Sequence, residues 1–250
     1  MKISVFMIVK NEEKNLPRAL DSAKWADEII LVDSLSTDRT VGIATSFTKP
    51  DKVFLRAFTD YADQKNFAMS RATGDWLLSL DADEQITPEL AHEIRAVTAA
   101  GAEHTAYRIR RRSQIFGRWF RFSGTQDDKP VRLFRRGAAR FTGPVHEEVE
   151  VQGSTGELRG RMNHYTYPTT AGYIERFNRY TSMEAECLHS LGRRPGFLDY
   201  WIKPWVMFFK LYLLRQGFRD GVEGFAFCFL SGFYVFSKHA KLAEKYRAEA

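Results

Sequence analysis

Four short apolar runs, Ile3 to Val9, Glu28 to Val32, Val53 to Phe58 and Trp76 to Leu80, show little polar alternation and are separated by segments of helical period. This pattern constrains the chain more than any other. A strand that is apolar on both sides must be covered on both faces, which happens in a parallel sheet flanked by helices. The intervening segments agree. Glu12 to Lys24 sets Leu16, Ala19, Leu20 and Ala23 on one helical face. Asp38 and Asp60 stand as N-caps of helices through Val41 and Ala44 and through Phe67, and Thr87-Pro88-Glu89 reads as a cap followed by proline in the first turn. The first part of the chain therefore predicts a βαβαβαβα unit, and such sheets bind ligands at the carboxyl ends of their strands.

Beyond it, His104 to Arg112, Val131 to Arg136, Val145 to Val151 and Glu157 to Met162 read as shorter strands of a mixed extension, with a turn at Gly153-Ser154-Thr155-Gly156. A helix from Thr170 to Leu191 follows, stopped by Gly192. From Tyr200 the texture changes to the aromatic and apolar stretches Trp201 to Leu214 and Gly224 to Phe236. Each is shorter than the roughly 20 residues that span a bilayer. With Lys203, Lys210, Arg215, Arg219, Lys238, Lys241 and Lys245 around them, they predict helices lying in a membrane interface, and ordinary packing on the domain is the competing reading. The expected organisation is one α/β domain over 1–195 and a C-terminal amphipathic, aromatic helical segment over 196–250.

Composition narrows the function. A 250-residue chain that is 44% hydrophobic has material for a substantial core, and disorder is excluded. Cys187 and Cys228 have no metal-like or redox-like spacing, which fits a reducing compartment without a disulfide framework. The apolar start is followed by Asn11-Glu12-Glu13 and not by a cleavage pattern, so it reads as a first strand. The formal charge of +6 suits a phosphate-bearing ligand, an anionic membrane surface or nucleic acid.

The chemistry gathers at strand ends. Asp81-Ala82-Asp83-Glu84 follows directly on the buried run Trp76 to Leu80, so its carboxylates emerge where this kind of sheet places ligands. Asp81 and Asp83 offer hard oxygen donors to Mg²⁺ or Mn²⁺, a cation that shares its shell with substrate phosphates. Such DxD pairs also cap helices, and position is what favours function here. Asp33 ends the second strand and can accept hydrogen bonds from a base or ribose, and Val9, Asn11 and Glu12 lie at the first strand-to-helix turn, where a nucleotide can meet backbone groups. His164 follows a strand and is either a further metal or diphosphate contact or a hydrogen-bonded structural histidine.

Together these motifs resemble family 2 glycosyltransferases of the GT-A fold. Val9-Lys10-Asn11-Glu12, Asp33 with the Ser-x-Ser-x-Asp-x-Thr run after it, Gln64-Lys65-Asn66 and Asp81-Ala82-Asp83-Glu84 occur in that family's order over about residues 1 to 190. Within the family, Gly143-Pro144-Val145-His146-Glu147, Asn163-His164-Tyr165 and Gln216-Gly217-Phe218-Arg219-Asp220-Gly221 most resemble bacterial lipopolysaccharide core β-glycosyltransferases. The resemblance implies a GT-A nucleotide-diphospho-sugar transferase fold with a mixed central sheet. It implies an inverting transfer of a hexose, glucose from UDP-glucose, to a lipid-anchored saccharide acceptor at the cytoplasmic, inner face of the cell membrane. Asp33 would lie near the base, Lys65 near base or phosphates, and Asp81 and Asp83 at ribose and metal. Another acceptor on the same fold, or a non-enzymatic basic adaptor of membrane or nucleic acid, are the alternatives. No nucleic acid is expected as a partner, since the arginines of 108–136 come with no recognition motif.

Inversion needs a group to take the acceptor's proton. In an extended strand Val145, Glu147, Val149 and Val151 share one face, so Glu147 is the acid on an apolar face and the candidate base; its competing reading is an ion pair with an arginine such as Arg132. His146 then faces the other way and takes an acceptor-contact role unless a bulge intervenes. Asp127 and Asp128 read as hydrated turn carboxylates, Glu84 as local support.

Overall fold

The computed structural model describes residues 1–99, 101–143 and 148–249. The chain forms two compact units, one of Met1–Arg111 with Asp128–His164 and one of Arg112–Asp127 with Tyr165–Ala250. The strands in chain order are β1 (Ile3–Val9), β2 (Glu28–Asp33), β3 (Val53–Leu55), β4 (Trp76–Ser79), β5 (Glu84–Ile86), β6 (Ala106–Ile115), β7 (Arg118–Trp119), β8 (Val131–Arg135), β9 (Ala139–Thr142), β10 (Glu148–Val151) and β11 (Thr155–Tyr167). Among the described residues, nine of them make one sheet in the order β3-β2-β1-β4-β8-β6-β11-β5, with β7 on β6, while β9 and β10 form a separate ribbon. Strands β1 to β4 pair in parallel; β8 joins β4 antiparallel, and β5 joins β11 antiparallel. The sheet is therefore mixed, with its parallel part first in the chain.

Burial on both faces explains the unbroken apolar runs. Along β1, Ile3, Val5, Met7 and Val9 pack into one core and Phe6 into the other; on β4, Trp76 and Leu78 go to the first core and Leu77 to the second. Helices α1 (Leu16–Ala23), α2 (Thr40–Phe47) and α4 (Pro88–Ala99) cover the first core, and α3 (Tyr61–Arg71) covers the second. Helix α1 buries Leu16, Ala19, Leu20 and Ala23 but starts four residues later than expected, with its proline, Pro17, in the first turn. Asp60 caps α3 by accepting the Asp63 N–H at 2.7 Å. In β10, Val149 and Val151 pack on the second core while Glu148 and Glu150 are exposed, so the alternation expected of this strand holds over 148–151.

The second unit is built around helices α5 (Thr170–Ser190), α6 (Phe197–Trp201), α7 (Lys203–Phe209) and α8 (Gly221–Ala248), with a π-helical turn over Lys210–Leu214. Helix α8 turns Gly224, Cys228, Gly232 and Val235 inward. These small residues let neighbouring backbone approach: a Cβ at Gly224 would stand 2.2 Å from the Gly217 carbonyl oxygen, and one at Gly232 2.6 Å from that of Pro204. The turn before α8 is pinned by buried Asp220, which accepts from the Arg121 and Phe122 N–H groups at 3.0 and 3.1 Å and from Ser123 Oγ at 2.8 Å. Among the described residues, no helix is long and apolar enough to cross a membrane.

Candidate active site

The last bond of the β4 register is the Leu80 N–H to Phe6 O contact at 3.1 Å, after which the chain leaves the sheet and Asp81 and Asp83 emerge at its carboxyl end. A closed turn holds them. Glu84 N–H donates to Asp81 O at 3.0 Å, and Glu84 Oε2 accepts the Asp81 N–H at 2.9 Å. Glu84 is fully buried and opens β5, whose register sets Glu84 opposite His164 on β11.

The two aspartates face different partners. On β8, next to β4, the buried Arg132 donates through one Nη2 to Asp81 Oδ2 at 2.5 Å and Glu84 Oε1 at 2.6 Å. Lys65, buried on α3, places Nζ 3.4 Å from Asp81 Oδ1. Arg111 adds a bond to Glu84 Oε1 at 3.1 Å and grips Asp128 with two bonds of 2.8 Å. Three carboxylates are thus matched by three cations. Burial alone would raise the Asp81 carboxyl, but Arg132 and Lys65 outweigh it and hold Asp81 well below the usual carboxylate range. The same bonds, against burial, raise the Arg132 and Arg111 guanidinium groups further. Asp83, with its side chain 17% exposed, lies instead with Oδ2 3.5 Å from His164 Nε2.

The loops after β1 and β2 are laced together. Asp33, fully buried, accepts from Ser36 N and Oγ at 2.8 and 2.5 Å, and Ser34 N–H donates to Val9 O at 2.8 Å. Asn11, at φ 54°, donates its N–H to Ser36 Oγ and accepts the Thr37 N–H on Oδ1, both at 2.8 Å. Asparagine suits this place because it tolerates the left-handed region while its amide closes the bond. Glu12 N–H donates to Thr40 Oγ1 at 2.8 Å. Asp38 accepts from Thr40 N–H at 2.9 Å and from Glu13 N–H at 3.2 Å, so it ties the helix start to the first loop. Gln64, beside Lys65, donates to Ser34 Oγ at 3.0 Å.

The structure thus brings Lys65, Asp81, Asp83 and His164 together around the end of β4, with Val9 and Asp33 closing β1 and β2 and Asn11 and Glu12 in the loop after β1. Glu147 and His146 lie outside the described residues. Glu84 supports the motif locally, as expected, through the Asp81 N–H, and it is in addition a buried charge hub for Arg132 and Arg111. Asp127 is a half-exposed turn carboxylate, as expected, with Arg215 at 2.6 Å, whereas Asp128 is drawn into two bonds with Arg111. Arg132 pairs with Asp81 and Glu84, and the suggested pairing of Glu147 with it lies outside the described residues.

Among the described residues no three His, Cys, Asp or Glu groups cluster as a complete metal cage. Asp83 and His164 supply one hard oxygen and one imidazole nitrogen. That donor set fits a Mg²⁺ or Mn²⁺ ion whose shell is completed by substrate phosphates and water.

Carboxylates at the end of β4 thus stand beside the hydrogen-bonded loops that follow β1 and β2. Residues 4–155 match the model of glycosyl transferase family 2, and the chain belongs to that family. The chain is 28% identical, over all of its length and 95% of the other, to the lipopolysaccharide core biosynthesis glycosyltransferase LpsC of Rhizobium meliloti. Two solved structures share the GT-A fold at 16% identity. S. aureus TarS 1-349 in complex with UDP-GlcNAc superposes with TM-score 0.50 and 16% identity over 100% of this chain and 92% of that one. The mannosyltransferase PcManGT of Pyrobaculum calidifontis, in complex with GDP-Man and Mn²⁺, gives 0.53 and 16% over 97% and 87%.

Proposed function

We propose that this glycosyltransferase is metal-dependent and inverting, and that it moves a hexose, glucose from UDP-glucose, onto a lipid-linked saccharide of the lipopolysaccharide inner core, working peripherally at the inner face of the cell membrane. The observation that carries the reading is the division of labour at the end of β4: Asp81 neutralised by Arg132 and Lys65, Asp83 beside His164. The name borne by the R. meliloti relative supports the acceptor class, the UDP-GlcNAc and GDP-Man of the two structural neighbours support a nucleotide-sugar donor, and the Mn²⁺ of PcManGT supports the cation.

Asp83 and His164 would hold the cation, which when bound neutralises charge growing on the departing diphosphate. Asp81, kept ionised by its two cations, is an acceptor for the donor's ribose. Lys65 lies where its ammonium can meet the donor's base or phosphates, and Asp33, Asn11 and Glu12 shape the loops that receive the base. Glu147 takes the proton of the acceptor hydroxyl as that oxygen bonds to the anomeric carbon and the bond to the diphosphate breaks; His146 contacts the acceptor. The test is UDP release from UDP-glucose with lipopolysaccharide core acceptor. Chelation by EDTA should abolish release and Mn²⁺ restore it, and Glu147→Gln should lower turnover about 10²- to 10⁴-fold with donor binding retained. Release indifferent to EDTA removes the metal role, and analysis of the glycosylated product identifies the acceptor.

A further inference from the structure

Helix α8 buries the wrong side for a helix in water. Its inward stripe is Gly224, Cys228, Gly232 and Val235, while Val222, Phe225, Phe229, Phe233 and Phe236 are exposed on the other side. Phe229 is 47% exposed despite a stacked neighbour in Phe225. The preceding helices do the same: Trp201 and Trp205, four residues apart, then Phe209 and Leu213, are exposed, with Trp205 at 53% and Leu214 at 78%. Helices α7 and α8 pack on each other, and ring contacts run from Trp205 and Phe209 through Phe208 to Phe225 and on to Phe229, so the exposed rings of both helices are joined. Monomeric soluble proteins rarely leave a contiguous apolar patch of this kind in water.

The chemistry of the patch selects its occupant. Over 197–241 there are six Lys and Arg against three Asp and Glu. Ion pairs join Asp199 to Lys203, Glu223 to Arg118, Arg215 to Asp127 and Lys238 to Glu184, and buried Asp220 accepts from backbone N–H groups, so the cations left for a ligand at this face are chiefly Lys210 and Arg219. Lys203, Lys210 and Arg219 are exposed beside the rings. A second copy of the chain would bring two cation-rich rims together, which opposes association. An anionic lipid surface matches both features, since tryptophan and phenylalanine partition into the headgroup and upper acyl layer while lysine and arginine meet lipid phosphates. From Val222 to Phe236 the stripe runs about 21 Å along the helix. It suits a helix lying in the plane of the interface.

We infer that the exposed aromatic face of α7 and α8 is a docking surface for anionic phospholipid, with Trp205, Phe209, Phe225, Phe229 and Phe233 entering the interface and Lys210 and Arg219 contacting headgroup phosphates. This rests on the reading above only in that a lipid-linked acceptor requires the enzyme to reach a bilayer, and it names the surface that does so.

The test is co-sedimentation of the full chain with vesicles of phosphatidylcholine alone and of equal parts phosphatidylethanolamine and phosphatidylglycerol. The chain should bind the second far better than the first, and added salt should weaken binding. The triple variant F225S/F229S/F233S should lose at least about tenfold in partitioning. K210E/R219E, which spares every ring, should lose binding to the anionic vesicles and keep the weak residual binding to phosphatidylcholine. Thermal shift with UDP-glucose and Mn²⁺ should be unchanged in both. Wild-type protein that stays in the supernatant with both vesicles, or variants that sediment as well as wild type, overturn the proposal. A chain that ignores vesicles but dimerises through this face, with dimers lost in the triple variant, also overturns it and identifies a second copy as the occupant. Vesicle binding without any response to UDP-glucose removes the catalytic reading and leaves the docking face standing; the reverse result does the opposite.

Discussion

The two units treat charge and apolar surface in opposite ways. In the first, large aliphatic and aromatic side chains are inside and so are charges: Lys65, Glu84 and Arg132 are buried, in mutual ion pairs. In the second, the longest helix buries mainly small residues, Gly224, Cys228, Gly232 and Ser237 with Val235 and Leu242, while Phe225, Phe229, Phe233 and Phe236 are outside. Each arrangement costs stability in water unless something compensates it. Buried charges require partners, and here the partners converge on Asp81, at the end of a strand where a charged ligand is received. Exposed rings require an apolar phase to leave water for. On the two proposals made above, the polar interior belongs to a phosphate-bearing ligand and the apolar exterior to a lipid one.

The contrast can be broken most forcefully at Glu84. Glu84→Ala would leave Arg132 and Arg111 short of a buried counter-charge and should cost about 3–5 kcal/mol in urea unfolding; a cost near zero would mean the network is not structural. His164→Ala should weaken Mn²⁺ binding by about 10- to 100-fold, read as a shifted midpoint in a Mn²⁺ titration of melting temperature referred to the variant's own apo value.

Glu28→Gln probes another internal charge. Burial pushes the Glu28 carboxyl up, but bonds from Lys52 at 2.6 Å, Ser4 at 2.5 Å and Thr73 N–H at 2.8 Å outweigh it and bring it down to about 2. Because the folded value is depressed, the stabilisation is complete above the ordinary value of 4.5 and disappears as pH falls through about 2. The variant should be less stable by about 1–2 kcal/mol at pH 7, and the gap from wild type should close toward pH 2 in acid titrations. A gap that is constant with pH would detach the effect from the charge. Smallest of all, Phe229→Ser should change stability in water by no more than about 0.5 kcal/mol, where an inward phenylalanine would cost several times that. A large loss would show that the exposed face is core.

Much of the first unit was legible because its signals are local. The run Ile3 to Val9 is β1 to the residue, and Asp60 caps α3 as its place before the helix suggests. The charge-hub role of Glu84 was not legible, since adjacency to Asp81 and Asp83 makes it look only like scaffolding of the motif. A signal for it lay elsewhere: Arg132 sits within the apolar run Val131 to Phe134, and an arginine inside a strand buried on both faces demands an internal acid. The later β5 was missed because three residues carry too little pattern to read as a strand. In the second unit the helices were evident, but their orientation was not, because phenylalanine occurs nearly all round α8 and only the spacing of Gly224, Cys228 and Gly232 tells which side faces in.

The shortness of β5 has its own consequence. The spacing from Leu80 to Glu84 acts as a ruler, because Glu84, Gln85 and Ile86 must meet His164, Asn163 and Met162 in register. Adding or removing one residue in that turn would carry Glu84 to the opposite side of the sheet, away from both arginines. Insertions elsewhere on the surface can be absorbed by loops, whereas here chain length itself is under constraint, and a library of single-residue insertions should show its sharpest intolerance between residues 80 and 84.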